Sequence, residues 1–147
     1  MPTIHASAVL IGPRAVLIRG SSGAGKSRLA WDLVEAGRTG ALPFARLVAD
    51  DRVLVEAAGG RLLVRPPPRL AGLIEIRGLG IRRLPHEPVA AVGLVVDLAA
   101  DDAARLPPPE AETAIVFHVE LPRLAVAAGV PALPLVLARM ASMSGTD

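Results

Sequence analysis

Gly20-Ser21-Ser22-Gly23-Ala24-Gly25-Lys26-Ser27 is the stretch on which the reading of this chain turns. The pattern is G-x-x-x-x-G-K-[ST], a phosphate-binding loop when a strand leads into it and a helix follows. Glycines let the backbone curl so that successive N–H groups face phosphate oxygens. The lysine neutralises the outer phosphates, and the Ser27 hydroxyl can ligate Mg²⁺. The following helix adds the positive end of its dipole. Lys26 is the only lysine among the 16 basic residues; the rest are arginines. The one lysine that remains stands where a compact ammonium on a flexible stem does what a guanidinium does poorly.

Working outward, residues 15–18 (Ala-Val-Leu-Ile) read as a short buried strand. Residues 27–36 read as a helix with Leu29, Leu33 and Ala36 on one apolar face, and Gly37 stands where a C-cap belongs. Strand, loop and helix therefore come in the order the motif requires. The chain has 147 residues, enough for one domain with a real core, expected to span 1–147. That core must be aliphatic, because 52% of residues are hydrophobic yet there are only two Phe, one Trp and no Tyr. Cysteine is absent, which removes disulfides and thiol chemistry and fits a cytoplasmic protein.

The net charge is only +2 and there is no block of like charges, so no nucleic-acid partner is expected. The N-terminal apolar stretch is broken by Gly12-Pro13-Arg14 and lacks a signal-peptide layout. The longest uncharged run, 124–138, contains two prolines and falls short of a membrane span.

Further along, residues 4–11 read as a first strand, turned by Gly12-Pro13 into the second. Residues 46–49 form another strand ending in Asp50-Asp51. Residues 52–56 and 61–65 pair through Gly59-Gly60, a hairpin signal, and three prolines at 66–68 end it. Residues 73–81 are short and glycine-punctuated, 89–98 are a long strand candidate, and 101–112 are a polar, proline-rich loop. Residues 113–121 alternate as one strand, with His118 on the solvated face, and 133–143 read as a closing helix. His86, after Pro85, is expected in a loop, and Trp31 in half-buried packing or an oligomer contact. Strands outnumber helices, so the expected class is α/β with a mixed sheet and a substantial antiparallel component.

The carboxylates at the strand end carry the second chemical signal. A phosphoryl-transfer site needs a carboxylate to hold Mg²⁺ through water or to accept the proton of an incoming hydroxyl. Asp50 or Asp51 can do either, and a regular strand would aim only one of them at the site. The third stretch, Ile74-Glu75-Ile76-Arg77-Gly78-Leu79-Gly80-Ile81, says little by physics alone, since a Glu–Arg pair on a surface contributes little.

Taken together, these segments resemble the catalytic domain of HPr kinase/phosphorylase, a bacterial enzyme family that phosphorylates a serine on the phosphocarrier HPr. The matching residues are His5, fifteen positions before Gly20; the loop Gly20, Ser21, Ser22, Gly23, Ala24, Gly25, Lys26 and Ser27; Arg46-Leu47-Val48-Ala49-Asp50-Asp51; and Ile74-Glu75-Ile76-Arg77-Gly78-Leu79-Gly80-Ile81.

The resemblance implies a fold related to phosphoenolpyruvate carboxykinase and an ATP- and Mg²⁺-dependent serine kinase acting on HPr or its nitrogen-branch paralogue. It implies that Lys26 contacts the β/γ-phosphates and that Ser27 and Glu75 ligate magnesium; Asp50, from its place at the strand end, is a further candidate metal-side carboxylate. Asp51 takes the serine proton, His5 lies near the reacting phosphate, Arg77 sits in the signature stretch, and Arg105 matches a catalytic arginine. A homo-oligomer, a hexamer in the family, is also implied.

Two departures shape the expectations. By the resemblance, His5 is expected to open the catalytic domain, so the family's separate N-terminal domain is expected to be missing. Residues 126–130 stand where the family carries an arginine-bearing loop associated with dephosphorylation, and they contain no arginine. The phosphorylase half of the activity is therefore expected to be weak. The alternatives are a small-molecule kinase on a phosphate-loop scaffold, for which no lid segment is evident, and a silent nucleotide-binding module, against which His5, Asp51 and Glu75 argue.

Overall fold

The computed structural model describes residues 1–142. Strand β1 (Thr3–Ile11) turns at Gly12, in the left-handed region with φ 59°, into β2 (Arg14–Arg19). The glycine loop leads to helix α1 (Lys26–Arg38), then β3 (Ala45–Ala49), β4 (Arg52–Ala58) and β5 (Arg61–Arg65). A hairpin of β6 (Leu73–Ile76) and β7 (Gly80–Arg83) follows, then β8 (Ala90–Leu98), β9 (Thr113–Val116), β10 (Val119–Val126) and α2 (Ala132–Ala141).

Two long strands organise the fold. The first residues of β1 pair antiparallel with β4, whereas its remainder lies between β2 and β3. At the start of β8, Ala90 and Ala91 pair antiparallel with β5; the rest runs parallel to β2 on one side and β10 on the other. With β4 paired to β5, the pairings β1–β2–β8–β5–β4–β1 close a ring. Closure removes sheet edges that would otherwise leave backbone groups unpaired. The result is a mixed sheet with parallel and antiparallel pairs, as the α/β reading expects.

Strand alternation divides the apolar residues between two cores. Ala6, Ala8, Leu17 and Val95 face the ring interior with Val53, Val55, Leu62 and Val64. Their neighbours Val9, Val16, Ile18, Leu94 and Val96 face the helices and meet Leu29, Leu33 and Ala36 of α1. Both phenylalanines lie outside these cores, with Phe44 40% and Phe117 39% exposed, so the interior is aliphatic. No helix among the described residues is long and apolar enough to cross a membrane.

Several sequence expectations shift. The helix runs two residues past 36, and Gly37 lies inside it rather than at its cap. A Cβ at Gly37 would meet the Ala45 Cβ and backbone nitrogen at 2.7 Å, so this glycine permits α1 to touch β3. The left-handed turn falls at Gly40 instead, with φ 89°.

Residues 113–121 are not one strand. Phe117 and His118 take φ 48° and 67° and fold the segment into the β9–β10 hairpin, which places His118 exposed at a turn. Residues 73–81 likewise form a hairpin, and Pro109–Glu112 adds a short 3₁₀ turn to the polar loop. His86 makes an isolated parallel bridge to Leu47, and Trp31 is half-buried against the helix-side core. The closing helix is Ala132–Ala141; Met143, its expected last residue, lies outside the described residues.

Candidate functional site

The glycine loop leaves β2 at Arg19, which Asp97 on β8 pins with two hydrogen bonds of 2.7 and 2.9 Å. At the loop's base a Cβ on Gly20 would approach the Cβ atoms of Ala24 and Leu98 at 3.0 and 3.2 Å, so only glycine sits there comfortably. Gly23 and Gly25 take φ 84° and 100°, conformations that turn the chain abruptly into α1. The helix begins with no side-chain cap and no acidic residue in its first turn. Its leading N–H groups thus have no intramolecular side-chain partner and keep their positive end for a ligand. The Lys26 ammonium, largely buried, donates to the Gly20 and Ser21 carbonyls at 2.9 and 3.2 Å.

Asp50 and Asp51 occupy different surroundings. Asp50 is only 6% exposed and accepts from the hydroxyls of Ser27 and Ser7, each at 2.7 Å, and from the backbone N–H of Glu75 at 3.1 Å. Its carboxylate therefore ties together the head of α1, strand β1 and strand β6. Asp51 takes φ 67°, a left-handed conformation that aspartate tolerates better than most residues. Two neighbours in a regular strand point to opposite faces; this torsion instead lets Asp51 line the cleft beside the loop while Asp50 holds Ser27.

Ser7 was not singled out by the sequence reading. Fully buried, it donates to Asp50 and accepts the Asp51 N–H at 3.2 Å, so it fixes the relative placement of both carboxylates. The available signal was a hydroxyl inside the otherwise apolar run 6–11.

The cleft measures about 530 Å³. Ser22, Gly23, Gly25, Lys26 and Ser27 line one side, and Asp51, Glu75 and Arg77 another. Glu75 and Arg77 come from the β6–β7 hairpin, which Ile74, 1% exposed, anchors in the helix-side core. Trp31 also lines this cleft.

Of the other sequence candidates, His5 shares the face of β1 that carries Ser7, two residues further out, exposed and outside the cleft lining. Arg105 is exposed in the polar loop and is not part of the lining either. Arg123 is committed elsewhere: it donates to Asp97, Asp102 and the Ala111 carbonyl. Burial alone would push the Asp97 carboxyl up, but hydrogen bonds from Arg19 and Arg123 outweigh it and hold Asp97 below the ordinary carboxylate range.

The donor set is suited to a hard cation. Asp50 and Ser27 offer oxygen ligands at the helix head, and no group of three His, Cys, Asp or Glu converges among the described residues. Mg²⁺ is commonly held in this way, by one or two carboxylates with further oxygens from phosphates and water.

Comparison with known proteins places this geometry in context. Residues 2–85 match the family model described as the HPr Serine kinase C-terminal domain. The chain is similar to the HPr kinase/phosphorylase of Exiguobacterium sp., 45% identical over 82 residues, covering 55% of this chain and 24% of that protein. It is also similar to that of Shouchella clausii, 48% identical over 79 residues, covering 53% and 23%. It thus spans about a quarter of the length of these curated relatives. The solved structure of the Hpr(Ser) kinase/phosphatase from Coxiella burnetii has the same fold, with a TM-score of 0.76 over 96% of this chain and 89% of that one, at 23% identity. With more than half of its residues matched by the family model and its fold shared across nearly its whole length, the chain belongs to the HPr Serine kinase C-terminal domain family.

Proposed function

We propose that this chain is one catalytic domain, spanning 1–147 in a fold related to phosphoenolpyruvate carboxykinase, that transfers the γ-phosphoryl group of ATP to a serine of HPr or its nitrogen-branch paralogue. The observation that carries the reading is the separation of two adjacent carboxylates: Asp50 bonded to Ser27 at the loop, Asp51 exposed in the cleft. One is placed for the metal side of a phosphoryl transfer and the other for the acceptor.

Glycine-loop amides and the uncapped helix end receive the β-phosphate. Lys26 exchanges its loop carbonyls for β/γ-phosphate oxygens, a short movement for a flexible stem. Ser27, Asp50 and Glu75 would hold Mg²⁺, which supplies neutralisation of the polyphosphate charge. The serine Oγ forms its bond to the γ-phosphorus as the bond to the ADP oxygen breaks. Asp51 takes the serine proton, and ADP leaves. Arg77, across the cleft, stabilises charge on the transferring group. His5 and Arg105 act only if the acceptor or a neighbouring subunit brings the reacting phosphate to them.

The test is radiolabelled ATP with purified HPr, with circular dichroism measured alongside. Lys26→Ala is expected to keep the fold and lose phosphotransfer by about a hundredfold or more. Wild-type turnover in this variant would remove the reading.

A further inference from the structure

Asp51 stands at the junction of two strands that share one neighbour. β3 pairs with β1 through Ala8 and Ala49, and β4 pairs with it through His5 and Arg52. The part of β1 between these pairs, Ala6 and Ser7, meets the bend at 50–51. That bend is a three-residue turn with Asp51 at its centre, closed by a hydrogen bond from the Arg52 N–H to the Asp50 carbonyl at 2.8 Å. A positive φ at the centre of such a turn is its rare and strained form, and Asp51 takes φ 67°. Strain of this kind persists only where the surroundings hold it. Here β1 holds the residue on both sides. The Ala6 N–H donates to the Asp51 carbonyl at 3.1 Å, and the Asp51 N–H donates to the Ser7 hydroxyl at 3.2 Å.

A hydroxyl has one proton to give. Ser7 gives it to Asp50 at 2.7 Å, which leaves its lone pairs for the Asp51 N–H. Ser7 is fully buried, so solvent does not stand ready to replace the hydroxyl. Asp50 keeps two further donors, the Ser27 hydroxyl and the Glu75 N–H. The Asp51 N–H has no other hydrogen-bond partner among the described residues. We propose that Ser7 is a positioning residue for the phosphoryl transfer, holding the Asp51 backbone in the strained turn from which this residue lines the cleft. The proposal rests on the reading of Asp51 as the base. Without the hydroxyl, Asp51 relaxes away from the acceptor oxygen, while the glycine loop, Lys26 and the Asp50–Ser27 pair stay in place. The loss then falls on the chemical step and not on nucleotide binding, because a misplaced base weakens the transition state alone.

The test is steady-state transfer from radiolabelled ATP to purified HPr by the full chain, with kcat and KM for ATP measured separately and folding followed by circular dichroism. Wild type is compared with Ser7→Ala, Ser7→Cys and Ser7→Thr. Ser7→Ala is expected to lower kcat by about 10- to 100-fold, with KM for ATP within about twofold of wild type. Ser7→Cys, closer in shape but a weak donor and acceptor, should change kcat in the same direction. Ser7→Thr keeps the hydroxyl on a side chain suited to a strand and should recover kcat to within about threefold of wild type. In an Asp51→Asn background, Ser7→Ala should cost less than about twofold more, because a group that acts through Asp51 has nothing left to position. Equal fold-losses in the two backgrounds would overturn the proposal and make Ser7 a packing residue. So would unaltered kcat in whichever of Ser7→Ala and Ser7→Cys folds, a rise in KM for ATP as large as the fall in kcat, or loss of the fold in all three variants. Wild-type protein that leaves HPr unlabelled would instead sink the kinase reading, and the role of Ser7 with it.

Discussion

At Asp51 the backbone takes φ 67°, and Asp51 lines the cleft while its neighbour Asp50 is bonded to Ser27 at the loop. Asp50 accepts from Ser7, Ser27 and the Glu75 N–H, and Asp51 lines the cleft. Their substitutions should therefore differ in kind. With Asp51 as the proposed base, Asp51→Asn is expected to lower kcat by about 10²- to 10⁴-fold with little change in ATP affinity, because a base acts in the transition state while the proposed phosphate contacts of loop and lysine are left in place. Asp50→Asn should spare kcat more, but weaken Mg²⁺-ATP binding and destabilise the fold by about 1–3 kcal/mol, since the Ser7 and Ser27 hydroxyls lose a charged acceptor. Steady-state kinetics and urea melts of both variants check this; a larger kcat loss in Asp50→Asn would reverse the two roles. The glycine loop was legible in sequence because its conformation is set within eight residues. The choice between the carboxylates was not, because it depends on Ser7, a partner 43 and 44 positions away.

At the scale of elements, Gly37 shows how a local rule yields to packing. A glycine after an apolar helical face reads as a cap, yet here the helix continues because α1 must pass against Ala45 of β3. Gly37→Ala would add helix propensity of up to about 1 kcal/mol. It would also drive a methyl group into backbone at 2.7 Å. Overpacking costs about 1–3 kcal/mol, so the net change should be a loss of stability, seen as a lower Tm. A raised Tm would show that β3 yields to the extra methyl. The β9–β10 hairpin escaped the sequence reading for a similar reason. Its turn uses Phe117 and His118 at positive φ, where glycine or asparagine would have announced it.

At the scale of the molecule, Asp97 joins three strands: it sits on β8 and binds Arg19 of β2 and Arg123 of β10. Its carboxyl is held below the ordinary range in the folded chain. A depressed carboxylate contributes stability that is fully present above its unfolded value, about pH 4, and is lost as pH falls through the lower folded value. Thermal melts should show wild type losing stability below about pH 4, and Asp97→Asn, less stable by about 2 kcal/mol near neutrality, losing less of it there. An unchanged acid limb in the variant would assign the acid sensitivity to other carboxylates.

The same network bears on reaction direction. Phosphorolysis of phosphoserine brings two anions into one site, where bidentate arginines help most. The turn 126–130 has none, and Arg123 is already engaged by Asp97 and Asp102. On the proposed kinase reading, phosphorylated HPr with the protein, Mg²⁺ and excess phosphate should lose its label far more slowly than the forward reaction adds it. Equal rates would show that these missing arginines do not govern direction.

The sequence alone was sufficient for the glycine loop, the two flanking elements, the aliphatic core and the likeness to a family, since each rests on near neighbours or on short motifs. The closing of β1, β2, β8, β5 and β4 into a ring, the pairing of Asp50 with Ser7 and Ser27, and the cleft beside the loop were decided only by the tertiary structure. They depend on side chains and strands brought together from distant parts of the chain, where strand pairing and burial decide between conformations that local preference leaves nearly equal.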